Sequence, residues 1–157
     1  FIASVINPNF ALVARNADGA ILGLAGFKTN EGGLIGGGLK DLARVYGWYG
    51  ALWRSPLLSL LERDLEDGHL LMDGIFVSKA ARGQGVGTAL LSAIKAHASQ
   101  LGLTAVRLDV INENTRAKAL YLRHAFKPES EEHLGPLRHI FGFRSSTKMI
   151  WVAPRAN

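Results

Sequence analysis

Apolar positions recur along this chain with two periods, and the period changes several times. Residues 10–15 and 20–28 are short apolar-rich runs joined by Asn16-Ala17-Asp18-Gly19. An Asp-Gly pair between two such runs predicts a β-hairpin. Residues 31–38 hold five glycines and read as a loop. Residues 39–67 switch to helical spacing. Leu39, Leu42, Tyr46, Tyr49 and Trp53 recur at steps of three and four, and Val45, Trp48 and Leu52 widen that face. Ser55-Pro56 predicts an N-cap and first helical residue, opening a second helix through Leu57, Leu60, Leu61 and Leu65 that Gly68 ends.

Residues 69–78 predict a strand, and residues 84–100 a helix with Leu90, Ile94, Ala98 and Leu101 inward and Gly102 as its stop. Residues 103–110 alternate, Val106, Leu108 and Val110 against Arg107 and Asp109, which predicts a strand. Residues 114–124 predict a short helix presenting Ala117, Leu120, Tyr121 and His124. Strands follow at 126–128 and 143–152, with an irregular segment between them. The order β-β-(αα)-β-α-β-α-β-β mixes hairpins with crossovers. An α/β (α+β) fold is therefore expected, its sheet mixed, largely antiparallel and flanked by helices. No internal repeat, linker or low-complexity tract divides the chain, so residues 1–157 are read as one domain.

Between the strand at 69–78 and the next helix lies Ala80-Ala81-Arg82-Gly83-Gln84-Gly85-Val86-Gly87-Thr88. Glycines there let the backbone turn tightly and bring bare N–H groups to a ligand. The helix that follows adds the positive end of its dipole, so the place favours an anion, most often phosphate. The spacing excludes two common phosphate binders. A Walker loop needs Gly-Lys-Ser/Thr, which is absent. A dinucleotide fingerprint needs glycine or alanine where Thr88 or Leu90 stands.

Composition narrows the field further. With 48% hydrophobic and 20% charged residues in 157, the chain has the make-up of an ordinary globular domain. It has no cysteine, which excludes a disulfide scaffold and thiolate metal sites. Its five histidines show no metal-ligand spacing, so no metal is assigned. The net charge of +5 is uneven: from Lys79 onward 12 Lys/Arg face 5 Asp/Glu, against 6 and 8 before it. A basic half suits a polyphosphate ligand or a nucleic acid. Its cations are scattered singly, without a run or an aromatic-interleaved stripe, so no nucleic-acid partner is expected. Neither helix at 39–67 approaches a membrane span, because Arg44, Arg54 and Glu62 interrupt them. A cytoplasmic location is expected. The chain opens on Phe1 rather than methionine, so an N-terminal piece, with any targeting segment, is expected to be missing.

The pattern Arg82-x-x-Gly85-x-Gly87 resembles the acyl-CoA pyrophosphate loop of the GNAT superfamily of N-acetyltransferases. A second constellation lies one helix and one strand downstream. Asn114-x-x-Ala117-x-x-Leu120-Tyr121 is similar to that family's Asn-x-x-Ala-x-x-Leu-Tyr, and Phe126 matches the phenylalanine of its Gly-Phe pair. Ala125 stands where the glycine is usual. The resemblance covers about residues 21–152. The chain departs from the family in lacking its first strand and helices ahead of Phe10. A helical insertion at 39–67 also precedes the cofactor strand.

The resemblance implies acetyl-CoA as cosubstrate, lying along the backbone of Ile75, Phe76 and Val77 as an added strand would. N–H groups of Gly83, Gln84, Gly85, Val86, Gly87 and Thr88 would hold its pyrophosphate, with Arg82 lending charge and Asn114 touching the coenzyme. Val77 N–H would face the thioester oxygen, and Tyr121 would protonate the leaving sulfur. Asp73, the one acid in the apolar run 70–77, is the candidate base for the amine, and strand alternation gives it the face of Ile75 and Val77.

Each role has a plainer counterpart. Ile75 and Val77 side chains read as core, Tyr121 as a half-buried helix residue, Asn114 as an N-cap, and Asp73 as a strand-end acid that reaches water or pairs with an arginine. Trp48, Tyr49 and Trp53 read as core or lid, with a homodimer contact or an acceptor-pocket wall also open. The expected activity is N-acetyl transfer to a primary amine of a small molecule or protein, by direct attack in a ternary complex. The alternative is a non-catalytic acyl-CoA-binding sensor or assembly module.

Overall fold

A computed structural model describes residues 8–33 and 65–155. The helical insertion expected at 39–67 lies outside the described residues up to residue 64. Residues 65–67 are not helical and lead through a turn at Asp67-Gly68 into the next strand.

Among the described residues seven strands form one sheet: β1 (Ala11–Arg15), β2 (Ile21–Thr29), β3 (Gly32–Gly33), β4 (His69–Val77), β5 (Ala105–Ile111), β6 (Lys127–His133) and β7 (Ser145–Val152). The order is β1-β2-β4-β5-β7-β6, with β3 added to the end of β2. Every pairing is antiparallel except β4 with β5. The expected mixed, largely antiparallel sheet is therefore present. Gly19, at φ +84°, closes the β1–β2 hairpin, where its amide donates to Asn16 O at 3.0 Å.

Two helices cover one face, α1 (Val86–Gln100) and α2 (Thr115–Arg123). Leu90, Leu91, Ile94 and Ala98 of α1 bury themselves against Ala25 and Phe27 of β2, Met72 of β4, and Val106 and Leu108 of β5. Leu101 does not join them and stays exposed. The helix stops at Gln100, and the Leu103 amide turns back to Ala98 O at 2.9 Å around left-handed Gly102. That closure carries Leu103 inward in place of Leu101.

The structure corrects three other expectations from periodicity. Arg107 and Asp109 alternate with the core residues of β5, yet both are buried, Arg107 Nε lying 3.6 Å from Asp109 Oδ2. Paired charges tolerate a burial that either alone would not. β6 runs to His133 rather than ending near Pro128. Its sequence Lys-Pro-Glu-Ser-Glu-Glu-His has no apolar position to reveal it, and it exists because β7 offers an edge to pair with. Gly32 and Gly33, read as loop, extend the sheet through backbone pairing alone.

The feature that prepares a site is a split in the sheet. β4 and β5 pair in parallel only from His69–Ala105 to Met72–Leu108. Beyond that point β4 continues beside β2 as far as Val77, while β5 continues beside β7 as far as Ile111. The two central strands part, and one edge of each is left open between them.

Candidate active site

A cavity of about 650 Å³ opens at this split. The predicted site residues line it from three directions: Ile75, Phe76 and Val77 from β4, Arg82, Gly83 and Gly85 to Thr88 from the glycine loop, and Asn114 and Tyr121 from α2. Gln84 and Asp73 alone among the predicted residues do not line it.

Backbone direction on β4 follows from two hydrogen bonds. Ser78 N–H donates to Leu22 O at 2.9 Å, toward β2. Successive residues of a strand alternate in the side their polar groups face, so those of Val77 face away from β2, into the split. The second bond agrees: Val77 O accepts from Arg82 Nε at 3.4 Å, and Arg82 lines the cavity. By the same alternation Ile75 offers its N–H and C=O to the open side, and Phe76 turns its own to β2.

The glycine loop needs its glycines. Gly83 and Gly85 adopt φ +76° and +80°, the left-handed region that side chains resist. Gly85 is the N-cap of α1 and offers no side-chain cap. The first bond of the helix runs from Ala89 N to Gly85 O at 3.0 Å. The N–H groups of Val86, Gly87 and Thr88 therefore have no partner within the helix, and their residues line the cavity. Gln84 instead ties the loop down, its Nε2 donating to Ala80 O at 3.0 Å. At Gly87 an added Cβ would lie 3.3 Å from Leu120 Cδ2, so the glycine lets α1 and α2 approach.

On α2, Asn114 Oδ1 accepts from Ala117 N at 3.1 Å, so Asn114 is an N-cap and a cavity residue at once. Tyr121 is only 8% exposed, packs edge-on against Phe126 at 5.9 Å between centroids, and still reaches the cavity. Burial holds its hydroxyl pKa above the ordinary value, so the proton stays on at neutral pH. Arg116 and Arg123 also line the cavity and were not among the predicted residues. Their seven-residue spacing, two turns on one helix face, is the signal that could have found them.

Asp73 sits where the β2–β4 register shifts, between the pairs Phe27–Met72 and Gly26–Gly74. This bulge interrupts the alternation that would have put Asp73 beside Ile75 and Val77. Those two pack against the α1-side core, whereas Asp73 is exposed and feels the charge of Lys28. Lys28 lies two residues along β2 from Gly26, on the face that Leu24 shares with Phe76. Asp73 therefore belongs with Phe76, which is 66% exposed, on the face away from α1. Its carboxyl pKa is raised, because partial loss of water around the carboxyl outweighs the attraction of Lys28. Among the described residues, no group of three or more His, Cys, Asp or Glu could hold a metal ion.

A split mixed sheet with unpaired helix N–H groups at its mouth and arginines around them defines a domain built to take an extended polyanion. The profile of the acetyltransferase (GNAT) family matches residues 3–126, and the chain belongs to that family. Solved structures agree on the fold. A GCN5-related N-acetyltransferase from Kribbella flavida is 23% identical, with 91% of this chain and 67% of that one covered and a TM-score of 0.59. A Bacillus anthracis str. Ames structure in complex with acetyl coenzyme A is 16% identical, with 98% and 69% covered and a TM-score of 0.64. The ribosomal-protein-S18-alanine N-acetyltransferase from Escherichia coli is 17% identical, with 99% and 76% covered and a TM-score of 0.59. No curated protein sequence matches.

Proposed function

We propose that this protein is an acyl-CoA-dependent N-acetyltransferase that moves acetyl from acetyl-CoA to a primary amine by direct attack in a ternary complex. One observation carries the reading. A strand edge left open at Ile75 and Val77, a helix mouth with three unpaired N–H groups, and a protonated Tyr121 meet in a single cavity. A coenzyme with an amide-bearing arm and a diphosphate fits that donor set. Acetyl-CoA, when bound, supplies a thioester whose carbonyl is open to an amine.

The chain's own groups then have separable tasks. Ile75, through its N–H and C=O, and Val77, through its C=O, pair the pantetheine amides. Val86, Gly87 and Thr88 N–H groups, with Arg82, hold the diphosphate. Val77 N–H receives the negative charge that gathers on the carbonyl oxygen during attack. Tyr121 gives its proton to the departing sulfur. A raised hydroxyl pKa keeps that proton available across neutral pH. Asp73, on the opposite face of β4, takes the proton of the incoming ammonium, directly or through water, and its raised pKa moves it toward the range of a working base. Phe76 beside it offers an apolar wall to the acceptor.

Free CoA thiol released from acetyl-CoA in the presence of an amine panel tests the reading. Amine-dependent release supports it. Tight acetyl-CoA binding with no release from any amine would favour a sensor, and absence of binding would end both.

A further inference from the structure

Behind the helix mouth lies a histidine that the proposed chemistry leaves unused. His124, the C-cap residue of α2, places Nε2 3.1 Å from Thr88 Oγ1. Thr88 is the last of the three cavity-lining residues at the start of α1 whose N–H groups have no partner within the helix. The His124 carbonyl accepts from Lys95 Nζ of α1, which fixes the α2 end against α1. We propose that His124 is a positioning residue for the coenzyme diphosphate, taking up a proton as the polyanion binds and turning the Thr88 hydroxyl toward it. This rests on the reading of the cavity as a coenzyme site.

The argument is one of charge and hydrogen-bond sense. Lys95 from α1 and Arg123 from α2 bring positive charge to bear on the ring, and Arg82, Arg116 and Arg123 line the cavity that Thr88 lines. Partial burial, and after it the charges of Lys95 and Arg123, hold His124 below the ordinary histidine pKa in the free protein. An arriving diphosphate offsets the cations' share of that depression, and its own negative charge favours the imidazolium. The imidazolium is then committed to donating from Nε2 to Thr88 Oγ1, because neither nitrogen can accept. Thr88 keeps its own proton for a phosphate oxygen. In the neutral ring with Nε2 bare, the hydroxyl proton points back to the ring instead. Binding and protonation are linked, so affinity rises as pH falls through the histidine range. Each unit of pKa rise on binding tightens it about tenfold once the pH is below both values.

Dephospho-CoA is the suitable probe, since its diphosphate is fully ionised and it lacks the phosphate monoester that titrates near neutrality. Its Kd with the wild-type protein should fall about three- to tenfold between about pH 8 and pH 5.5. His124→Gln, which keeps a hydrogen bond to Thr88 without the charge, should bind with little pH dependence. His124→Ala should bind more weakly than His124→Gln throughout. Equal pH slopes in wild type and His124→Gln overturn the proposal. Calorimetry of the wild type in two buffers of different ionisation enthalpy needs no variant. Proton uptake near pH 6.5 supports it, and none overturns it. Failure of dephospho-CoA and CoA to bind at any pH would instead remove the coenzyme site itself.

Discussion

The amide of Phe126 donates to the carbonyl of Tyr121 at 3.1 Å, and the two rings meet edge-on at 5.9 Å. With Ala125 N donating to Leu122 O at 3.2 Å, this is a Schellman closure of α2, its apolar contact made by the two aromatics. The end of the helix thereby fixes the direction of the tyrosine ring. Phe126 and Tyr121 are both buried, and Tyr121 also lines the cavity.

Replacing Tyr121 by Phe removes the hydroxyl and keeps the ring contact. Turnover should fall by about 10²-fold or more. The Kd for acetyl-CoA, read by calorimetry, should change less than about threefold, since the diphosphate contacts are untouched. An unchanged kcat would show that sulfur leaves without this proton.

Ala125 occupies φ +63°, the left-handed position of that closure, where a Cβ is strained. Ala125→Gly relieves the strain at some cost in unfolded-state entropy. A net gain of about 1 kcal/mol is expected. Thermal unfolding should show a Tm about 2–4 °C higher, with activity retained.

Gly23 on β2 has no room for a side chain. An added Cβ would lie 2.8 Å from Phe76 O and 3.0 Å from Val86 Cγ1, the first residue of α1. Gly23→Ala should cost about 1–3 kcal/mol by overpacking. It should also weaken acetyl-CoA binding, because the added Cβ displaces the strand edge and the helix mouth. Normal stability with normal affinity would contradict the packing described.

Asp73 links activity to stability with opposite signs. Its folded pKa lies above the unfolded value, so the folded state binds the proton more tightly and ionisation disfavours folding. Asp73→Asn should therefore unfold at a higher temperature at about pH 7, and the gain should vanish below about pH 4, where both states are protonated. The residue is exposed, so the gain should be under about 1 kcal/mol. The same variant should lose kcat/KM by about 10²-fold if Asp73 is the base. A wild-type kcat/KM that falls as pH drops, and a variant that lacks this limb, would identify the group.

Much of the candidate site's placement around one cavity was legible in the sequence because its signals are local. The loop Arg82 to Thr88 needs glycines at left-handed positions and a helix directly after them, and both needs are written in adjacent residues. The Asn114-to-Tyr121 helix was equally plain, since an N-cap and a one-sided apolar face are local signals. Arg116 and Arg123 passed unnoticed because helical cations usually face water. Only the approach of α2 to α1 at Gly87 turns them to a cavity.

By itself the sequence determined most strands and both main helices of the described core, though not β3 or most of β6. It also determined where the backbone must turn left-handed, and that a glycine loop opens a helix. Those properties depend on side chains within a turn or two of each other. The tertiary structure alone decided that β4 and β5 part after Met72, that a bulge turns Asp73 to the face of Phe76, and that Arg107 and Asp109 are buried together. Each of these depends on which strand lies alongside, and pairing between distant segments leaves no periodic trace in either one.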